Sequence, residues 1–199
     1  MATSDAQLCS MALLRVGQRQ TIDSLNGPSA EARACKALYA DARDALLAMH
    51  PWRFATKRAV LAELEDDERS GWEYTYALPT DCITPRSLWA GDRAPALSGK
   101  YPFELEWGAN DTPVLLADQE DAELVYTARI TVVPRFPPLF VEALAWKLAA
   151  DLALSLPVKP GVAKVMEEKF QRALAQAVAA DGNQVQEDAQ PESEFVRGR

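Results

Sequence analysis

Histidine is nearly absent from this chain: His50 is the single one in 199 residues. General acid–base chemistry near neutral pH most often rests on histidine in a polar cluster, so an active site here would need other groups. His50 stands at the end of a helical pattern, immediately before Pro51, where a contact with a helix C-terminus or a packing role suits it at least as well as proton transfer. Cysteine is scarce too. Cys9, Cys35 and Cys82 are odd in number and widely spaced, which argues against a disulfide framework and leaves no pair at zinc-site spacing. Each reads as a small buried hydrophobe. No glycine-rich phosphate loop follows a strand pattern. Residues 138–156 come nearest to a long apolar run, yet they carry Glu142, Lys147 and Asp151, whereas a membrane span needs roughly 20 predominantly apolar residues. The opening Met1-Ala2-Thr3-Ser4-Asp5 has neither the basic nor the apolar part of a secretory signal. Positive charge is also in deficit. With 21 Lys and Arg against 29 Asp and Glu, the net charge of -8 argues against wrapping nucleic acid by phosphate neutralisation. The expectation is a protein with no catalysed reaction, no cofactor, no metal and no membrane partner.

What is present is ordinary globular material, 48% hydrophobic and 25% charged, enough for one domain or two small ones with a real core. Ser4 caps a first helix, Gln7 completes a capping box, and Leu8, Ala12, Leu13 and Val16 recur on one face until Gly17 ends it. The link over residues 18–28 offers Ile22 and Leu25 as plugs. Ser29 then caps a second helix whose stripe runs through Ala32, Cys35, Leu38, Tyr39, Ala42, Leu46 and Met49, and Pro51 stops it.

From residue 65 to about 133 the apolar period changes from 3.6 to 2. Trp72, Tyr74 and Tyr76 alternate with Glu73 and Thr75; Phe103, Leu105 and Trp107 alternate with Glu104 and Glu106; Leu124, Tyr126, Ala128 and Ile130 alternate with Val125, Thr127 and Arg129. Such alternation predicts half-buried antiparallel strands, with turns at Gly91-Asp92, Ser98-Gly99 and Gly108-Ala109-Asn110-Asp111. Pro137-Pro138 reopens helix in a run whose polar stripe is only Lys147, Asp151 and Ser155, so neighbours must cover most of its circumference. After Pro157 and Pro160-Gly161, a last helix carries Val162, Val165, Met166, Phe170, Ala173, Leu174 and Ala177 on one face. The predicted fold is α+β: a helical bundle of about four helices with an inserted small antiparallel β module and a flexible C-terminal tail. Its parts are residues 1–62 and 135–181 for the two halves of the bundle, 63–134 for the insert, and 182–199 for a polar, acidic tail without period, expected to be disordered until it binds.

Three clusters outside the apolar pattern are candidates for contact. Arg53, Lys57 and Arg58 follow the aromatics Trp52 and Phe54, and on a helix Arg53 and Lys57 would stand one turn apart, as a partner-facing or DNA-proximal basic cluster or as a solvated face whose stems cover apolar surface. Glu63, Glu65, Asp66, Asp67 and Glu68 form an acidic run, a hydrated loop on the plain reading and a DNA-repelling channel lining on the sharper one. A second acidic run at Asp118, Glu120, Asp121 and Glu123 lacks the sixth-position glycine of a calcium loop, Glu123 standing there. In the tail, Phe195 and Val196 lie alone among polar residues, between Glu194 and Arg197, as a short motif that orders on docking would.

Three strings taken together resemble one known family. These are Arg43-Asp44-Ala45-Leu46-Leu47-Ala48-Met49-His50-Pro51-Trp52-Arg53-Phe54-Ala55, then Tyr76-Ala77-Leu78-Pro79-Thr80-Asp81-Cys82, then Phe136-Pro137-Pro138-Leu139-Phe140-Val141-Glu142-Ala143-Leu144-Ala145. Their order and content, over about residues 6–181, are similar to the tail tubular protein A family, the head-to-tail adaptors of short-tailed phages. His50, Pro51, Trp52 and Phe54 would be the structural family motif. The resemblance implies a virion protein made in the host cytoplasm, assembled as a ring, commonly a dodecamer, between the portal protein above and the tail nozzle proteins (tail tubular protein B-like) below. Genomic DNA would pass through the lumen without sequence-specific binding, with Glu65, Asp66, Asp67 and Glu68 as candidate lumen residues and Phe195, Val196 and Arg197 as candidate portal-docking residues. Trp107-Gly108-Ala109-Asn110 and Pro134-Arg135 depart from the turn sequences expected there. The alternative from another class is a cellular, non-enzymatic helical binding module or regulator with no virion role, and ring formation separates the two.

Overall fold

The side chain of Ser4 accepts a hydrogen bond from the Gln7 backbone N–H and opens helix α1, Asp5–Arg15, in the computed structural model, which describes residues 4–64, 71–90, 101–108, 111–156, 159 and 161–183. Helix α1 closes on Gly17, whose positive φ of 87° lets the Gly17 and Gln18 amides turn back onto the carbonyls of Leu14 and Leu13. Ile22 plugs the link as expected. It is buried, and its backbone N–H and C=O are both bound by the Ser10 hydroxyl at 3.0 Å. Ser29 caps α2, Ala30–Met49, by accepting from the Ala32 N–H at 3.0 Å. His50 then leaves the helix with φ -146° and ψ 148°, the extended conformation that a following proline imposes.

Helices α3, Pro138–Ser155, and α4, Val162–Gly182, complete the helical part, with Gly161 entering α4 at φ 85°. Helix α3 touches α1, α2 and α4, which is why apolar residues fill nearly its whole circumference. Its narrow polar stripe is bound internally: Lys147 to Asp151 at 2.8 Å, and the Ser155 hydroxyl to the Asp151 carbonyl at 3.3 Å. Arg15 of α1 crosses to Glu142 at 2.6 Å with its guanidinium 4.0 Å above the Trp146 ring, while the Trp146 indole donates to the same carboxylate at 2.7 Å.

Among the described residues, seven strands lie between α2 and α3: β1 Thr56–Val60, β2 Ala62–Glu63, β3 Tyr74–Ala77, β4 Cys82–Ala90, β5 Glu104–Trp107, β6 Pro113–Ala117 and β7 Ala122–Ala128. They form two antiparallel sheets, one in the order β1-β7-β4 and the other in the order β2-β3-β6-β5. The expected helical bundle with a small β insert is thereby corrected: the chain is α+β with four helices and two antiparallel sheets, and the β part is no minor insert. One apolar core runs from Leu8 and Leu144 in the helices to Leu124 in the first sheet and Tyr76 and Leu115 in the second. The first strand begins at Thr56, ahead of the change of period, and it leads directly out of a single 3-10 turn, Arg53–Ala55.

Individual strands also depart from simple alternation. On β3, Thr75 is as buried as Tyr76, because that strand is interior to its sheet and covered on both faces. On β5, Leu105 and Trp107 were expected inward, yet they are 47% and 70% exposed, since β5 is the outermost strand of its sheet. The acidic run from Asp118 is a tight connection between β6 and β7 with Asp121 at φ 52°; Asp118 accepts from the Glu73 N–H at 3.1 Å. The turns expected at Gly91-Asp92 and Ser98-Gly99, residues Ala109 and Asn110, and the breaks at Pro157 and Pro160 lie outside the described residues, as do residues 184–199 of the expected tail.

Candidate functional site

Two of the three strings that carry the family resemblance meet at one corner. Trp52, 1% exposed, stands where α2 ends, and its indole N–H donates to the Leu46 carbonyl at 2.9 Å, so the ring satisfies a helix-end acceptor while it fills the core. Phe140 of α3 packs edge-on against it with ring centroids 5.1 Å apart; Phe54 lies 4.8 Å from Phe140, and Phe136 lies 5.0 Å from Phe140. His50 meets the Trp52 ring edge-on at 4.8 Å.

The polar side of the same corner belongs to Asp181, in the last turn of α4. Its carboxylate is buried and accepts from His50 Nε2 at 3.0 Å and from the Arg53 backbone N–H at 3.2 Å. A carboxylate only accepts, so the histidine nitrogen facing it carries the proton. This histidine therefore ties the end of α2 to the end of α4 instead of capping its own helix. The C-terminus of α2 is served by Arg86 of β4, whose guanidinium donates to the Ala48 carbonyl at 3.2 Å and to Thr127 Oγ1 at 2.9 Å. Burial pulls the Arg86 pKa down from its usual value. Neither Arg86 nor Asp181 carried a sequence signal, because each acts on residues far away in the chain.

Arg53, Lys57 and Arg58 do not share a helical face. Arg53 lies in the 3-10 turn, and Lys57 and Arg58 are successive residues of β1, directed to opposite sides of the sheet. Lys57 binds Asp81 at 2.6 Å; Arg58 binds Glu123 at 3.3 Å and lies 4.6 Å from the centre of the Trp89 ring. The second string enters through that Asp81, which also accepts from the Tyr126 hydroxyl at 2.9 Å. Farther along it, Ala77, Leu78 and Pro79 line a groove of about 540 Å³ together with Pro113 and Val114. The Lys57 hydrogen bond, reinforced by Tyr126, holds the Asp81 carboxyl below its usual value, and burial with Asp81 as neighbour pushes Tyr126 up to about 12. A depressed carboxylate stabilises the fold above its unfolded pKa of about 3.9, and that contribution fades as pH falls through the lower folded value. Asp81→Asn should accordingly melt below the parent at pH 7, with the gap closing below about pH 4. Melting curves for both proteins from pH 7 to pH 2.5 check this, and a gap that does not change with pH would refute it.

The thiols are structural. Cys9 and Cys35 are fully buried, and the hydrogen bond that the Cys9 thiol donates to Cys35, then burial, push the Cys9 pKa up; burial first, then Asp81, push Cys82 up to about 11. Among the described residues, no group of three or more His, Cys, Asp or Glu side chains is placed to hold a metal ion, and no helix is long and apolar enough to cross a membrane. Glu65, Asp66, Asp67 and Glu68, and likewise Phe195, Val196 and Arg197, lie outside the described residues.

Two hollows flank Asp181. On one side is an apolar cleft of about 250 Å³ between the start of α3 and the end of α4, walled by Trp52, Pro137, Leu139, Phe140, Ala177 and Ala180. On the other, His50, Pro51, Arg53, Thr56 and Gly182 edge an open, more polar hollow of about 600 Å³. No protein family and no curated protein was found to match this chain.

Proposed function

We propose that this protein is a head-to-tail adaptor of a short-tailed phage, a non-enzymatic ring component seated between the portal protein and the tail nozzle. The observation that carries the reading is the outermost strand β5, where Leu105 and Trp107 hold apolar side chains in solvent at 47% and 70% exposure. An edge strand with exposed apolar residues is a template for association that a monomer ordinarily blunts. Ring closure needs two different surfaces on each protomer. The outer strand of the other sheet, β1, offers Val60 at 72% exposure as part of a second one. The strings that carry the resemblance lend further support, since two of them meet in a structural contact, Trp52 with Phe140.

Protomers of net charge -8 repel one another, so ring contacts are marginal until a partner gathers them. Native mass spectrometry should find the isolated protein monomeric at micromolar concentration and ring-sized on a matching portal protein. The double variant Leu105→Glu with Trp107→Glu should keep the melting temperature of the parent and lose the portal-templated ring. A ring that forms equally well with both substitutions would remove β5 from the interface, and a portal mixture that never yields higher assemblies would overturn the adaptor reading.

A further inference from the structure

We infer that the apolar cleft between α3 and α4 is the seat of the chain's own C-terminal segment, residues 184–199, with the Phe195 ring in the cleft and Glu194 at the amino end of α3. Three observations carry this.

The cleft has room for an aromatic ring and is open to take one. A cavity of roughly 150 Å³ accommodates benzene, and this one measures about 250 Å³, with Leu139 40% exposed at its mouth.

The cleft has a polar requirement of a definite sign. Helix α3 is 18 residues long, yet it begins at Pro137 with no side-chain cap and no acidic residue in its first turn. The first N–H groups of a helix have no intrahelical acceptor, and negative charge is favoured beside them. Here they include the amides of Leu139 and Phe140, two residues of the cleft wall.

The chain delivers matching chemistry to that place. Helix α4 ends at Gly182, one residue past the cleft's rim at Asp181, so the segment departs from the site itself. Phe195 lies twelve residues beyond Asn183, a reach of up to about 40 Å when extended, more than enough to fold back over two helical turns. It is the one aromatic residue of the segment, with Glu192 and Glu194 just before it and Val196 just after. Acid followed by an aromatic ring is the complement of a bare helix amino end beside an apolar hollow. Tethering by a short linker gives an effective concentration in the millimolar range, so a weak contact suffices. Any partner that captures the segment must first draw it out of the cleft, and its apparent affinity falls by the fraction of chains already released.

Amide hydrogen exchange on the isolated full-length protein tests this without a portal, so the outcome stands apart from that of the ring experiment. The comparison is with Phe195→Ala/Val196→Ala and with a chain ending at Asn183 to which a synthetic peptide of residues 184–199 is added. Leu139 and Phe140 should exchange about tenfold more slowly in the full-length protein than in the double variant. The peptide should restore that protection to the shortened chain, and Leu139→Glu in the shortened chain, which places like charge against Glu194 of the peptide, should abolish peptide binding and leave the Phe140 amide unprotected. Equal exchange in the full-length protein and the double variant would overturn the inference. Protection that grows with protein concentration would overturn it too, by showing that the cleft takes the segment of a second copy.

Discussion

Trp52→Ala is expected to destabilise the protein by about 3 to 5 kcal/mol, at the upper end of that range. The ring is 1% exposed and packs on Phe140 and His50, so its removal leaves a cavity at the junction of α2, α3 and the last turn of α4. It also strips the Leu46 carbonyl of its donor at a helix end, an addition of about 1 kcal/mol or more. Urea titration followed by circular dichroism measures the loss. Trp52→Phe separates its two parts, since the phenyl ring retains most of the packing but not the N–H, and should lose less than half as much. A loss under about 1 kcal/mol for Trp52→Ala would mean that the indole is not a core anchor.

Asp181→Ala should cost about 1 to 3 kcal/mol, because the Arg53 amide and the His50 ring both lose their acceptor in a largely buried place. The effect of His50→Ala should be smaller in the Asp181→Ala background than in the parent, since the two side chains share one contact. A double-mutant cycle reads that coupling, expected at about 0.5 kcal/mol or more for residues in one network. Strict additivity would show that the 3.0 Å contact contributes nothing to stability.

The helical half of the molecule was legible from local signals. Ser4 and Ser29 cap where their spacing placed them, Gly17 takes the left-handed turn, and Pro51 stops α2, standing two residues past its last residue Met49. Such signals act within a few residues, so a sequence displays them directly. The size of the β half was not legible, for reasons seen strand by strand. Thr56–Val60 reads as polar because its cations are matched by distant carboxylates, Asp81 in the turn before β4 and Glu123 on β7. Cys82–Ala90 holds Pro85, which argues against a strand, and the structure accommodates it with register shifts on either side of the Thr84–Pro85 pair. Pro113–Ala117 has four consecutive buried residues and so no period at all. At the corner, His50, Pro51, Trp52 and Phe54 were singled out by their string, whereas Asp181 looked like any acidic residue at the end of a polar helix. Its importance comes from a contact across 131 positions that no local pattern encodes.

That separation bears on how the molecule is made. The corner at Trp52 belongs to the first third of the chain, but Asp181 and Ala177 come from its last helix. During synthesis, α1, α2 and the strands emerge and begin to pair while the hollow beside Trp52 still lacks the wall that α4 supplies. Closure of the fold is thus a late event that waits on nearly the whole polypeptide, and a product broken off before α4 leaves the aromatic cluster open to water and to other nascent chains, the exposed apolar surface that leads to aggregation.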